Sequence, residues 1–262
     1  MLEPFHVQAE NRLLVAGCFQ APGVYLGVDY GIPYFTVDTA GNGYPTHPAS
    51  DAYLGFLKST VAQRNGGVLL NGPFNSVNGD EQPLIRRLNP DFSVDREFTF
   101  DKEAYPPEGR AVDTLAELSD GGILVRFYTT ADKTYRLRCL TPDGFYDRSF
   151  DESIGDQSVN SWGGTVSTAL PLPDGKILLG GLNLVRVSRD GMRDSDFTPP
   201  PAFENIICMA LQADGKILVG RDNVFGDERP HLQRLNPNGS LDTTFNVPNG
   251  AERTRIRASS IS

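Results

Sequence analysis

Cysteine and histidine are scarce in this sequence of 262 residues. Its three cysteines, Cys18, Cys139 and Cys208, are odd in number and far apart, which excludes a complete disulfide framework and does not match zinc-ligand spacing. We therefore expect thiols that pack as small hydrophobic groups. The sequence also lacks a Gly-x-Ser-x-Gly elbow, a His-Glu-x-x-His motif and a glycine-rich phosphate loop, so no local motif predicts catalytic residues.

Excess positive charge and long apolar runs are missing as well. The formal net charge is −9 and the isoelectric point is about 4.8, whereas binding to nucleic acid or anionic membranes requires clustered Lys and Arg. No stretch approaches the roughly 18 consecutive apolar residues of a membrane span. The first residues lack the basic start and apolar core of a secretory signal. We expect neither nucleic-acid binding nor membrane insertion.

Glycine and proline, in contrast, are abundant, with 27 and 19 residues. They interrupt short apolar runs at regular intervals, which is typical of all-β proteins with many short strands. No convincing amphipathic helix is present.

The first of two repeated motifs is a turn followed by an apolar strand. Its fullest copy is QADGKILVG at residues 212–220. Related copies are PDGKILLG at 173–180, SDGGILV at 119–125, RNGGVLL at 64–70 and AENRLLV at 9–15. Counted from the N-terminal copy to the C-terminal one, their first apolar residues are separated by 55, 55, 54 and 40 positions. Asp-Gly and Asn-Gly favour tight hairpins because glycine accepts a positive φ.

The second motif alternates with the first. Its fullest copy is LNPNGSLDTTF at residues 235–245. Related copies are LNPDFSVDREF at 88–98, LTPDGFYDRSF at 140–150, VSRDGMRDSDF at 187–197 and a degenerate VDTAGNGYPTH at 37–47. Two motifs that alternate in a fixed order predict one four-stranded β-meander repeated about five times.

A single sheet of this kind cannot bury both of its faces, whereas radial stacking of several sheets covers them. The sequence therefore predicts an all-β fold, a β-propeller of about five four-stranded blades, as one domain over residues 1–262. We expect its first strands to begin near residues 5, 61, 113, 166 and 206. The predicted repeats are about 5–56, 57–105, 106–158, 159–202 and 203–250, with a closing or partial strand of an incomplete extra blade at 251–262. If the ring does not close, open blade edges favour self-association.

The pairing of these motifs resembles the delta-60-repeat β-propeller family of bacterial and phage proteins. The resemblance covers about residues 5–262 and is most specific in the last two repeats. It implies an extracellular, cell-surface or virion setting within a larger assembly, and it carries over no catalytic residue. The usual Gly-Gly after the apolar strand is replaced by Arg126-Phe127 in the third repeat, and Arg221 replaces its second glycine in the fifth.

Each second motif places an arginine eight residues before an aspartate. The pairs are Arg87 with Asp95, Arg186 with Asp194, and Arg234 with Asp242. We interpret them as structural ion pairs rather than a ring of ligand-binding arginines, since a tight reversal brings such positions together. The third repeat has Cys139 in place of the arginine, so Asp147 is expected to find a backbone donor or water.

The aspartates at these turns have two interpretations. A D-G-x-x-D pattern can chelate Ca²⁺ through oxygen ligands. Asx side chains also cap their own turns by accepting backbone N–H bonds. We favour capping and expect no cofactor or resident metal, because the spacing matches neither an EF-hand nor a nonapeptide calcium loop.

Function is expected in the irregular segments, because loops vary on a rigid scaffold. Aromatic and polar residues in two such segments are candidates for ligand binding: Trp162, Tyr25, Tyr30, His47, Asp51 and Tyr53. We expect a non-enzymatic binding or structural module that recognises a glycan or a protein partner. The alternative is a carbohydrate-active enzyme with carboxylates from different blades at the propeller mouth, and such acids leave no local motif.

Overall fold

A computed structural model describes the protein at residues 5–9, 12–20, 31–38, 43–44, 59–71, 85–104, 109–129, 134–150, 166–201, 203–221 and 232–246. These parts of the chain contain seventeen β-strands, one short 3-10 helix, Lys102–Ala104, and helical residues at 148–150. No helix among them is long and apolar enough to cross a membrane.

The strands of the described residues form five antiparallel sheets. The first sheet contains β1 (Phe5–Ala9), β2 (Arg12–Gln20), β3 (Gly31–Asp38) and β4 (Gly43–Tyr44), and the second contains β5 (Ser59–Ala62), β6 (Val68–Asn71) and β7 (Ile85–Leu88). The third contains β8 (Gly109–Glu117), β9 (Ile123–Thr129), β10 (Thr134–Leu140) and β11 (Tyr146–Asp147). The fourth contains β12 (Val166–Pro171), β13 (Ile177–Gly181) and β14 (Leu184–Val187), and the fifth contains β15 (Ile206–Leu211), β16 (Ile217–Arg221) and β17 (Leu232–Leu235).

Every sheet follows the same meander, in which consecutive strands pair with each other. The fourth strand is two residues long in the first and third sheets and is reduced to one isolated bridge in the others. These bridges are Leu88–Val94, Val187–Arg193 and Leu235–Leu241. The all-β prediction is confirmed. The first strands begin at residues 5, 59, 109, 166 and 206, at or close to the predicted positions.

The Asp-Gly dipeptides close the hairpin between the first and second strands. In the third sheet, Leu118 N donates to Gly122 O at 2.7 Å, and Gly121 N donates to Leu118 O at 3.0 Å. Only the glycine of the dipeptide has a positive φ, 86° at Gly121. The hairpin loop therefore has three residues, with a type I turn followed by one left-handed residue.

The second strand of each of the last four sheets is the core strand of its sheet. In β13, Ile177 and Leu179 pack towards the third sheet, whereas Leu178 packs towards the fifth. All three side chains are buried. Alternate residues of one strand thus serve two neighbouring sheets, which explains why the second strands are apolar without alternation.

The second to fifth sheets lie side by side in chain order, because β5 contacts β8, β8 contacts β12, and β12 contacts β15. The hairpin turns of the first motif and the outer turns of the second motif lie at the same end of each meander, here called the turn end. The opposite end, where second strands finish and third strands start, is called the loop end. In these four sheets, the first strands β5, β8, β12 and β15 contact one another in a continuous row.

Candidate functional site

An arginine of the third strand pairs with an aspartate at the turn end of three sheets. On the second sheet, Arg87 Nε lies 2.6 Å from Asp95 Oδ2. The same contact, at 2.8 Å, joins the equivalent pairs Arg186–Asp194 and Arg234–Asp242. The structure therefore contains all three ion pairs that the eight-residue spacing predicts.

The second oxygen of each aspartate caps the chain that follows it. Asp95 Oδ1 accepts from Glu97 N at 2.9 Å, and Asp242 Oδ1 accepts from Thr244 N at 3.0 Å. Across the described residues, no three or more His, Cys, Asp or Glu side chains form a group that could hold a metal ion. These carboxylates therefore act as turn caps and ion-pair partners.

Each arginine also stacks on a phenylalanine three residues after the aspartate. The guanidinium carbon of Arg87 lies 4.8 Å from the centre of the Phe98 ring, a cation–π contact. Equivalent contacts occur on the fourth and fifth sheets. We call these groups the Arg–Asp–Phe clusters: Arg87, Asp95 and Phe98; Arg186, Asp194 and Phe197; Arg234, Asp242 and Phe245.

Two of the clusters extend across a boundary between sheets. Arg87 Nη1 donates to the carbonyl oxygen of Pro142 at 2.6 Å, and Arg186 Nη1 donates to that of Pro237 at 2.7 Å. Each proline belongs to the outer turn of the following sheet. One planar guanidinium thus joins its own aspartate, its own phenylalanine and the next repeat, which an ammonium group would do poorly.

A lysine adds a second cation to the clusters of the fourth and fifth sheets. Lys176 Nζ lies 2.7 Å from Asp194 Oδ2, and Lys216 Nζ lies 2.9 Å from Asp242 Oδ2. The hydrogen bond from Lys176 is the main reason that the pKa of Asp194 is lowered to about 2. The pKa of Asp242 is lowered too, first by the Thr244 hydroxyl and then by Lys216. Both carboxylates are therefore ionised at neutral pH.

The third sheet lacks both cations in its own sequence, since Cys139 replaces the arginine and Gly122 replaces the lysine. Arg189, from the outer turn of the fourth sheet, occupies the space instead. Its Nε lies 2.7 Å from Asp120 Oδ2, and its Nη2 lies 3.3 Å from Asp147 Oδ2. Asp147 also accepts the expected backbone bond, from a residue two positions later. The sequence analysis expected a backbone donor or water for Asp147 and did not predict its second partner, Arg189 of the next sheet.

The replacement residues leave room for this guanidinium. A Cβ atom at Gly122 would lie 2.7 Å from Nη2 of Arg189, so a larger residue there would displace the guanidinium from its present position. Burial raises the pKa of the Cys139 thiol to about 12, and the nearby Arg189 only partly opposes this. Cys139 is consequently a neutral packing group, as expected from the sequence.

The predicted ligand-binding residues, Trp162, Tyr25, Tyr30, His47, Asp51 and Tyr53, lie outside the described residues. The described strands nevertheless locate the ends of the segments that contain them. β2 ends and β3 begins at the loop end, where Gln20 pairs with Gly31. β5 begins there at Ser59, and β12 begins there at Val166. The segment 21–30 therefore starts and finishes at the loop end, and the segments 45–58 and 151–165 finish there, whereas β4 and β11, which precede these two segments, pair beside the outer turns.

The arginines that replace glycines in the first motif also lie near the loop end. A Cβ at Gly180 would lie 2.6 Å from Ile206 Cγ2, which shows why glycine is usual at this position. Arg126 stands at the equivalent position of the third sheet and donates to the carbonyl of Val166. Arg221 is buried and donates to the carbonyl of Glu204 at 2.7 Å. Both arginines therefore bind the backbone that leads into or begins a first strand.

The alternative of a carbohydrate-active enzyme requires acidic residues from different sheets to lie close together. Among the described first strands, β8 alone contains acids, Asp113 and Glu117. Glu117 accepts from Arg64 N at 2.8 Å and so caps the turn of the preceding sheet. The described first strands thus do not bring carboxylates from different sheets together.

Comparisons with known proteins support a propeller repeat. The family model described as "Domain of unknown function (DUF5122) beta-propeller" matches residues 63–98 and 212–245. The repeats are similar to a β-propeller family. Each matched segment runs from the hairpin turn to the phenylalanine of an Arg–Asp–Phe cluster. The coarser prediction of a propeller repeat is thereby supported, and the delta-60 name stays a prediction.

Solved structures share the fold at low sequence identity. A DUF4623 family protein from Bacteroides eggerthii is 12% identical over 88% of this chain, with a TM-score of 0.51. A puromycin hydrolase is 16% identical over 92% of this chain, also with a TM-score of 0.51. This chain covers only 53% and 39% of those two proteins. A comparison with curated proteins finds no match.

Sequence reasoning missed two kinds of contact at the turn end. Lys176 and Lys216 follow Asp-Gly, and their recurrence together with the aspartates was a usable signal. Arg189 stands where the other second motifs have proline or, in the first copy, threonine. This departure was the signal that the contact between the third and fourth sheets differs from the others. The partner of Arg189 depends on which sheets are neighbours, which the local motif does not contain.

Proposed function

We propose that this protein is a β-propeller of about five blades that acts as a non-enzymatic binding or structural module. Its blades follow the repeat boundaries given above, and its partner, a glycan or a protein, contacts the loop end. The supporting observation is the asymmetry between the two ends of the sheets. Polar side chains of the turn end bind neighbouring sheets, whereas the variable segments 21–30, 45–58 and 151–165 all finish at the loop end.

The Arg–Asp–Phe clusters make the turn end a poor recognition surface. Arg186 uses its guanidinium on Asp194, Phe197 and the Pro237 carbonyl, and its side chain is only 12% exposed. Removing such groups from their internal partners to bind a ligand would leave partly buried charges unpaired, which is costly. The clusters thus hold the scaffold in place while the other end varies.

The composition of the loop segments supports a glycan or a protein as the partner. The segments 21–30 and 45–58 contain Tyr25, Tyr30 and Tyr53, and the segment 151–165 contains the single tryptophan, Trp162, among Gly and Ser residues. Aromatic side chains offer a large apolar face and a polar edge, and they dominate many interfaces. The net charge of −9 disfavours polyanionic partners. A surface or virion assembly is the setting that the family resemblance implies.

The test compares two aromatic residues at opposite ends. The intact chain is screened on a glycan array and by affinity capture, and each hit is titrated against Trp162→Ala and Phe145→Ala. Phe145 is the matched control, because its side chain is 53% exposed at the turn end. We expect Trp162→Ala to weaken binding at least about tenfold, as a hot-spot aromatic does, and Phe145→Ala to leave it unchanged. Loss of binding through Phe145 alone would contradict the proposal.

A further inference from the structure

The apolar packing between consecutive sheets is nearly the same at three boundaries, from the second sheet to the fifth. At each boundary, a leucine from the second strand of one sheet shares a buried cluster with two aliphatic residues from the second strand of the next sheet. The three sets are Leu69 with Ile123 and Val125, Leu124 with Ile177 and Leu179, and Leu178 with Ile217 and Val219. Because these surfaces are so similar, apolar packing alone would allow a sheet to accept the wrong successor.

Polar contacts at the turn end are also alike at the first and the last of these boundaries. Arg87 of the second sheet and Arg186 of the fourth each donate to a proline carbonyl in the outer turn of the next sheet. The residue after each cluster phenylalanine, Thr99 or Thr198, donates its backbone N–H to the same outer turn, at 3.1 and 2.9 Å. We call this set of contacts the common pairing. In it, the preceding sheet supplies the cation and the following turn supplies carbonyl oxygens.

The boundary between the third and fourth sheets has the reverse arrangement. Its cation, Arg189, belongs to the outer turn of the following sheet and contacts Asp120 and Asp147 of the preceding one. Cys139 and Gly122 stand where the fourth and fifth sheets have an arginine and a lysine. We call the contacts of Arg189 with the two aspartates the exchanged pairing. The three boundaries along the chain are therefore common, exchanged and common.

This alternation makes the surfaces incompatible wherever one sheet is skipped. If the fourth sheet followed the second directly, Arg189 would approach Arg87, and two like charges would crowd together at one place. If the fifth sheet followed the third, its proline turn would bring no cation to Asp120 and Asp147. The side chain of Asp147 is only 19% exposed, and an unpaired carboxylate that is largely buried is costly. Each single skip thus joins two surfaces that do not match.

We infer that the exchanged pairing fixes the order of the second to fifth sheets, because among these sheets the third accepts only the fourth as its successor. Misassembly between repeats is a characteristic failure of repeat proteins. Discrimination between similar partners comes from contacts that disfavour the wrong one as well as from contacts that favour the right one. Arg189 supplies both kinds of contact. This role goes beyond the proposed function, since it concerns assembly of the sheets and involves no ligand.

The first test variant makes all three boundaries alike. Gly122→Lys, Cys139→Arg and Arg189→Pro together give the third and fourth sheets the common pairing, with a cation retained at the aspartate of the third sheet. The surfaces then match when either the third or the fourth sheet is skipped. The full chain is unfolded in urea and refolded by dilution. Native monomer is quantified by size-exclusion chromatography, and protection of each sheet by hydrogen exchange with mass spectrometry.

The second test variant moves the exchanged pairing to the next boundary. Lys176→Gly with Arg186→Cys removes both cations from Asp194, and Pro237→Arg supplies a guanidinium from the fifth sheet. The third and fourth sheets then present the same kind of surface to their successors, so the third sheet also matches the fifth. In this variant the surfaces match only when the fourth sheet is skipped, which makes the identity of the unprotected sheet a specific prediction.

We expect both triple variants to keep a urea midpoint close to that of the original chain but to yield at least about twofold less native monomer on refolding. The first variant should contain molecules in which β9 or β13 exchanges rapidly. In the second, only β13 should do so. Protection of β6 and β16 should be retained in both, because the sheets on either side of a skipped sheet remain packed.

A destabilised control separates the order of the sheets from their stability. Ile217→Val removes one buried methyl group and leaves both kinds of pairing unchanged, so its recovery of native monomer should equal that of the original chain. Equal recovery by the triple variants, with β9 and β13 uniformly protected, would overturn the inference. Loss of protection spread evenly over all four sheets would overturn it too, as would a loss of recovery in Ile217→Val as large as in the triple variants.

Discussion

In both the third and the fourth sheet, a cation lies between the third strand and the aspartate that follows the outer turn. The cation comes from the same repeat in the fourth sheet and from the next repeat in the third sheet. In the fourth sheet, Arg186 and Lys176 come from the same repeat as Asp194. In the third sheet, Arg189 comes from the next repeat and serves Asp147. What the two sheets share is the charge at a defined place in space, and the sequence position that supplies it differs.

The two carboxylates differ in the number of cations that contact them. Asp194 has two cations within 2.8 Å, whereas Asp147 has one described cation at 3.3 Å, which it shares with Asp120. The boundary between the third and fourth sheets thus relies on one guanidinium for two carboxylates. It should be the more sensitive of the two boundaries to loss of a single cation.

The largest effect is expected from the apolar part of the boundaries, where the two should be alike. Ile177 and Ile217 occupy equivalent positions, and each is 1% exposed. Replacing either by alanine should lower the free energy of unfolding by about 2–5 kcal/mol, through lost apolar burial and a residual cavity. Urea denaturation of both variants checks this. A cost within the range of surface substitutions for either one would mean that its sheet is not packed as described.

A smaller and unequal effect is expected from removing the cations. Arg189→Ala leaves Asp120 and Asp147 without their described cation and should cost about 1–3 kcal/mol. Arg186→Ala should cost less, because Lys176 remains at Asp194. Urea denaturation at low and at high salt compares the two, and Arg193→Ala, an exposed arginine of the same turn, is the control. If Arg189→Ala and Arg186→Ala lower the free energy of unfolding equally, the two boundaries do not differ in their sensitivity to loss of one cation.

The contacts that could be predicted from the sequence are those within one repeat. The Asp-Gly hairpins and the Arg–Asp pairs depend on residues at most eight positions apart, whose geometry follows from turn chemistry. The bond from Arg87 to the Pro142 carbonyl spans 55 positions, and that from Arg189 to Asp120 spans 69. Such contacts depend on how sheets stack, which no local motif encodes. The candidate loop residues, with Trp162 first among them, lie outside the described residues and stay predictions.

The smallest net effect is expected from restoring the common arrangement at the third sheet. Cys139→Arg alone places a second guanidinium beside Arg189, so it should destabilise the protein through overcrowding and like charge. Arg189→Pro alone removes the cation of Asp147.

Combined, the two changes recreate the arginine, aspartate and proline of the fourth cluster and its boundary. The free energy of unfolding of the double variant should therefore lie within about 1 kcal/mol of that of the original protein. Such compensation is a coupling energy between residues in contact, of about 0.5–3 kcal/mol. A double-mutant cycle by urea denaturation measures it directly. Additive losses would show that Arg189 and the vacant arginine position are independent departures, and that the charge is not what the two sheets share.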